Sequence, residues 1–184
     1  MDLSRALRRT ARTALACLAA CLALSSLSCR KPRAPLAPLS KDEISGERLW
    51  RRISTEADFE SYPEWPGYKG VQIGQSPHGR YHEIYINPVL RAALPIADRT
   101  APDGSVIVKE NFDADMKKVG FTVMAKAKGY DPATDDWFWA SYGPDGSVAA
   151  EGKVEMCIKC HEGMKRNDYV IVRALDAPLA GGGK

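Results

Sequence analysis

The sequence predicts an α+β domain built on an antiparallel β-sheet with flanking helices. Three observations carry that prediction. Four segments, Arg80 to Ile86, Ser105 to Asn111, Gly120 to Ala127 and Trp137 to Tyr142, alternate in polarity or are rich in β-branched and aromatic residues. Turn signals separate most of them, and helical patterns fall only at the two ends and directly after the first strand. Beyond the N-terminal segment the chain runs for ~150 residues, the usual size of one domain with one core.

The chain begins with an export signal. Arg5, Arg8, Arg9 and Arg12 form a basic region, and Ala14 to Leu27 is apolar and small-residue rich but short for a transmembrane helix, so residues 1–29 read as a segment to be removed. Leu18-Ala19-Ala20-Cys21 has the better lipobox sequence and Ser26-Leu27-Ser28-Cys29 the better length. Either cysteine could carry a lipid, and an ordinary soluble signal peptide is the third option. The expected location is the periplasm, with a lipoprotein tether to the membrane where a cysteine is acylated. Residues 30–40, with Pro32, Pro35 and Pro38, read as an extended tether.

The 26 basic and 23 acidic residues give a net charge of +3, but four arginines and one aspartate lie within the first 29 residues, leaving 22 of each sign. The domain is neutral overall, so the basic balance belongs to the export segment and gives no reason to expect a nucleic-acid partner. Three of the five cysteines, Cys17, Cys21 and Cys29, also lie in that segment, so no structural disulfide is expected in residues 41–176, the predicted domain.

Within the domain, Ser40-Lys41-Asp42-Glu43 has the form of a capping box, and Ile44, Leu49 and Ile53 follow near helical spacing, which predicts a helix from Ser40 to about Ser54. The density of Pro and Gly from Tyr62 to Gly79 predicts an ordered loop. In the first strand Tyr81, Glu83 and Tyr85 share one face and His82, Ile84 and Ile86 the other. Asn87-Pro88 then caps a short helix to about Leu94. Asp103-Gly104 turns into the second strand, where Val106, Val108 and Glu110 face one way and Ile107 and Lys109 the other. The third strand presents Phe121, Val123 and Ala125 opposite Thr122 and Met124, and Pro144-Asp145-Gly146 follows the fourth as a turn. A helix is predicted from about Gly152 to Glu162, a last strand over Tyr169 to Val172, and a flexible tail over 177–184.

The chemistry-bearing motif lies on that last helix. Cys157-Ile158-Lys159-Cys160-His161 is a C-x-x-C-H run, the attachment signature of a c-type haem. Two thiols three positions apart reach two vinyl groups of one porphyrin, and His161, four on from Cys157, reaches the iron. A structural zinc site needs four ligands, yet only two other histidines, His78 and His82, remain in the domain. A dithiol redox pair is expected at the start of a helix in a βαβ setting, which the pattern lacks.

Further motifs carry a resemblance. Pro77-His78-Gly79-Arg80 leading to Ile84-Tyr85-Ile86-Asn87, then Asp103-Gly104-Ser105-Val106-Ile107-Val108-Lys109-Glu110-Asn111, then Gly129-Tyr130-Asp131-Pro132, Asp136-Trp137-Phe138-Trp139, the C-x-x-C-H run and Asn167-Asp168-Tyr169-Val170 together resemble the cytochrome P460 family, from about Glu47 to Arg173. The resemblance implies a homodimer with one haem c packed against the sheet, attached through Cys157 and Cys160, with His161 as proximal iron ligand and the sixth position of the iron left open. It further implies that Lys109 is the lysine cross-linked to the porphyrin edge in P460 enzymes, and hence a catalytic residue. Such enzymes oxidise hydroxylamine to nitric oxide or nitrous oxide and pass electrons to another cytochrome c. The family's hydroxylamine oxidases use a distal carboxylate, whereas the position near Thr122 carries none, and Glu110 points away from Lys109 by strand alternation. The same family includes β-sheet cytochromes c′, which bind nitric oxide or carbon monoxide without a lysine link, so the small-molecule partner is either a nitrogenous substrate or a diatomic gas. A simple electron-transfer cytochrome is the remaining alternative and needs a sixth ligand such as Met124. His78 and His82 are candidate distal groups that would otherwise pair with backbone, and Trp137 and Trp139 are read as packing residues.

Overall fold

The computed structural model describes residues 36–179. The export segment with Cys21 and Cys29, most of the proline-rich tether and the glycine-rich end of the tail lie outside the described residues. Six strands form one antiparallel sheet in strict sequence order: β1 Gln72–Ile73, β2 Tyr81–Ile86, β3 Val106–Phe112, β4 Lys118–Lys126, β5 Trp137–Tyr142 and β6 Val148–Gly152. Helix α1 spans Gly46–Arg51 and continues as a wider turn over Arg52–Glu56; α2 spans Pro88–Ala93 and α3 Glu155–His161. The predicted α+β class is therefore observed.

Strand alternation divides the interior into two compartments. Leu49, Ile53, Phe59, Val108, Phe121, Val123, Phe138 and Tyr142 pack on one face of the sheet, beneath α1. On the other face Ile84, Ile86, Ile107, Met124, Trp137 and Trp139 pack with Leu90 of α2 and with Tyr169, Val170 and Leu175 from the C-terminal segment, against which Cys157 and Ile158 of α3 also rest. Both faces are covered, which explains why the central strands are almost wholly buried. A shared register aligns Ile84, Lys109, Thr122 and Ser141 in one row across β2 to β5, and Ile86, Ile107, Met124 and Trp139 in the next row on the same face.

Several boundaries differ from the sequence reading. The Ser40 capping box exists, with Ser40 Oγ donating to Glu43 Oε2 at 2.6 Å, but it closes only a turn. The helix starts six residues later, because Ser45 is extended and its side chain accepts from Arg48 N, while Gly46 is tied to the sheet through Gly46 N to Glu151 Oε2 (2.9 Å) and Tyr142 OH to Gly46 O (3.0 Å). Within the loop of 62–79 a two-residue strand, β1, pairs with β2. Val148–Gly152 forms an edge strand, and the last helix starts at Glu155. Tyr169 to Val172 is not a strand: Asp168 and Tyr169 both take left-handed backbone (φ 54 and 61) and turn the chain back over the sheet. Asn87 caps α2 as expected, and its Oδ1 also accepts from Val106 N at 3.1 Å, joining the helix to β3.

Candidate haem site

Helix α3 follows β6 directly, and it carries all three residues of the attachment motif to the sheet face that bears Lys109, Thr122 and Met124. Cys157 is half-buried and Cys160 exposed, both as free thiols, while His161 at the helix end is buried. His161 Nδ1 lies 2.7 Å from the Tyr169 carbonyl oxygen. A protonated Nδ1 donates there and leaves Nε2 available, the arrangement that orients a metal-binding histidine. The Trp139 ring packs edge-on against His161, with centroids 4.8 Å apart. Burial, with Lys109 adding to it, pushes the His161 pKa below the ordinary histidine value against the raising effect of the Tyr169 bond, a direction that favours the neutral form a metal ligand needs.

Cys157, Cys160, His161 and Trp139 line one pocket that opens to solvent. Ile107, Met124 and Trp139 supply its apolar wall and Lys109 its cation. Burial lowers the Lys109 pKa to about 8, so an appreciable fraction of the amine is neutral and nucleophilic near neutral pH. Thr122 also lines the pocket, as expected from its register, and its role is visible: Thr122 Oγ1 lies 2.8 Å from His78 Nδ1. His78 reaches the pocket from the segment before β2. Its Pro-His-Gly setting was a signal that the sequence offered, since Gly79 has φ 71 and an added Cβ would strike the Phe112 carbonyl. His82, the other candidate, does not line the pocket but packs behind His78, with ring centroids 6.2 Å apart. Glu110 faces the opposite side and pairs with Lys118, as alternation predicts.

The residues fit a haem c. Two thiols, an oriented imidazole and an apolar wall converge on one pocket, and Trp139, in that wall, has an indole Nε1 that is buried without a hydrogen-bond partner in the protein. Among the described residues no group of three or more His, Cys, Asp or Glu is placed to hold a bare metal ion. Comparison with protein families matches the cytochrome P460 family over residues 59–172, more than half of the chain. The chain belongs to the cytochrome P460 family. A comparison with curated proteins finds no match. Membership implies a c-type haem as cofactor of this P460 domain, and hence a haem-iron cytochrome. Trp137 is a packing residue, as predicted; Trp139 packs too, but also lines the P460 pocket.

The imidazoles around the pocket make the P460 domain sensitive to acid. His82 is buried, and burial together with Lys109 pushes its pKa down from 6.5 to about 4. Between those values the unfolded chain binds the proton more readily than the folded one. The stability contributed by neutral His82 is therefore complete above pH 6.5 and is lost as pH falls toward 4. Guanidinium unfolding at pH 7 and pH 5 should show a drop for the wild type and a smaller drop for His82→Gln; equal drops would remove His82 from the explanation.

Proposed function

We propose that the protein oxidises hydroxylamine at a P460-type haem c held by Cys157, Cys160 and His161 and cross-linked to Lys109. The bound haem supplies the iron and its redox chemistry. Cys157 and Cys160 fix the porphyrin to α3, and the Tyr169 carbonyl holds the His161 ring so that Nε2 is presented to the pocket. Lys109 lies in the same pocket, and its lowered pKa leaves part of its amine neutral. This last observation carries the proposal, because it joins an activated lysine to the thiols and the imidazole in one pocket. The reading also includes the periplasm as location, one haem per chain, a homodimer, a lipid anchor at Cys21 or Cys29 where processing leaves one, and a c-type cytochrome as electron acceptor.

The reduced optical spectrum tests the cross-link. A ferrous Soret band far to the red of an ordinary c-type haem, lost in Lys109→Ala together with hydroxylamine turnover while the haem stays attached, is the expected result. An ordinary Soret in the wild type and no turnover with an acceptor would sink it. One observation favours a second reading: the pocket lining contains no Asp or Glu. A site without a carboxylate to accept protons suits reversible binding of nitric oxide or carbon monoxide, and tight gas binding without turnover would select that function.

A further inference from the structure

We infer that Asn167 and Asp168 are positioning residues of the haem site, which hold the Tyr169 carbonyl against His161 and so set how strongly that histidine binds the iron. The inference rests on His161 as the proximal ligand proposed above and is independent of which small molecule the iron takes.

The contact they serve has only one direction. A carbonyl oxygen accepts and never donates, so the 2.7 Å contact with Tyr169 O places the proton of the neutral His161 ring on Nδ1 and leaves Nε2 as the ligating atom. The peptide unit that carries this carbonyl is pinned at its other end, where Val170 N donates to Asn167 O at 3.0 Å. Reaching that pose takes an uncommon backbone. Asp168 and Tyr169 are consecutive left-handed residues (φ 54 and 61), a region crowded for any side chain and rare for an aromatic one. Such a conformation persists only where the surroundings over-determine it.

Two buried side chains do so here. Asn167 Nδ2 donates to Val170 O at 2.6 Å and to Arg173 O at 2.8 Å, while its Oδ1 accepts from Leu175 N at 2.8 Å, so one amide clasps the chain beyond the turn. Asp168 ties the turn to the sheet. Its carboxylate accepts from Lys126 at the end of β4, from Trp137 Nε1 at the start of β5 and from Ala101 N ahead of β3, and Trp137 Nε1 also donates to the Asp168 carbonyl at 2.9 Å. A buried ion pair stabilises a fold no better than a well-packed apolar pair, but its directional bonds fix where the next residue stands. Neither Asn167 nor Asp168 lines the pocket, so their influence on the iron passes through Tyr169 and His161. A firmly held acceptor at Nδ1 makes Nε2 the stronger donor to the metal and favours the ferric state; a carbonyl free to swing away has the opposite effect.

The test uses the full-length haem protein, with covalent haem first quantified as the pyridine adduct. Resonance Raman spectroscopy of the ferrous form reads the iron–histidine stretch, and redox titration reads the midpoint potential. Asn167→Ser, and Asp168→Asn, which tolerates the left-handed backbone but gives up the charge, should lower the stretching frequency and raise the potential. Lys126→Met combined with Asp168→Leu should keep both shifts, because apolar packing restores the fold without restoring the hold on the carbonyl. Where a single variant fails to fold, this double variant decides. Ile53→Ala, which destabilises the core on the opposite face of the sheet, should leave both readings at their wild-type values. Wild-type readings in the single variants, shifts that vanish in the double variant, or the same shifts in Ile53→Ala overturn the inference and leave the haem site standing. A wild type without covalent haem overturns both.

Discussion

Replacing Asp168 with Ala is expected to cost the folded protein about 3–5 kcal/mol, the usual cost of removing one partner from a buried ion pair. Both Asp168 oxygens accept from Lys126 Nζ at 2.6 Å, and neither side chain is more than 8 % exposed. The carboxylate also accepts from Ala101 N at 2.7 Å and from Trp137 Nε1 at 3.2 Å. Without it, Lys126 is left as a buried cation whose remaining support is the Trp137 ring, 5.1 Å from its charge. Burial raises the Asp168 pKa, with Lys126 opposing that effect, so the pair is maintained against a desolvation cost and does not owe its place to large net stabilisation. Accordingly Lys126→Met combined with Asp168→Leu should recover much of the loss. Guanidinium unfolding followed by tryptophan fluorescence gives the cycle; additive single effects would show that the two side chains do not act as a pair. Asp168 also precedes Tyr169, whose carbonyl faces His161, so the single variant is expected to loosen that histidine as well.

Gly120→Ala carries the second large effect, about 2–5 kcal/mol. Gly120 lies opposite Asn111, next to the register shift between Asn111 and Phe112, with φ 145, and a Cβ there would collide with the Tyr142 carbonyl of the neighbouring strand. Backbone oxygen in the middle of a sheet cannot move aside as a side chain can. Gly70→Ala is the matched control: φ is 70, but nothing lies within 4 Å of the added carbon, so only the backbone penalty of about 1–2 kcal/mol applies. Equal losses for the two variants, measured by thermal unfolding, would show that the collision contributes nothing.

The parts of this fold that sequence reveals are those fixed by nearest neighbours. The alternation of Tyr81 to Ile86 and of Val106 to Asn111 identified both strands and placed Lys109 on the face that bears the pocket. The spacing of Cys157, Cys160 and His161 put three groups on one helix. What remained hidden depends on partners far along the chain. Val148 to Gly152 contains two alanines and a glycine, poor strand formers, and is held by pairing with β5. Tyr169 to Val172 has the composition of a strand, yet two left-handed residues and burial of Val170 against the sheet direct it elsewhere. The contacts of His78 with Thr122, 44 residues away, and of Lys126 with Asp168, 42 residues away, exist only once the sheet and the C-terminal segment have met.

The two compartments on either side of the sheet bear on how such a protein can diversify. Residues facing the pocket, such as Ile107, Lys109, Thr122 and Trp139, alternate along the strands with Val108, Phe121 and Phe138, which pack beneath α1. Side chains separated by a sheet share few direct contacts, so their substitutions act nearly independently. Selection can therefore revise the polarity, reach or charge of the pocket, turning a reactive centre into a sensor or the reverse, while the opposite face keeps the scaffold intact.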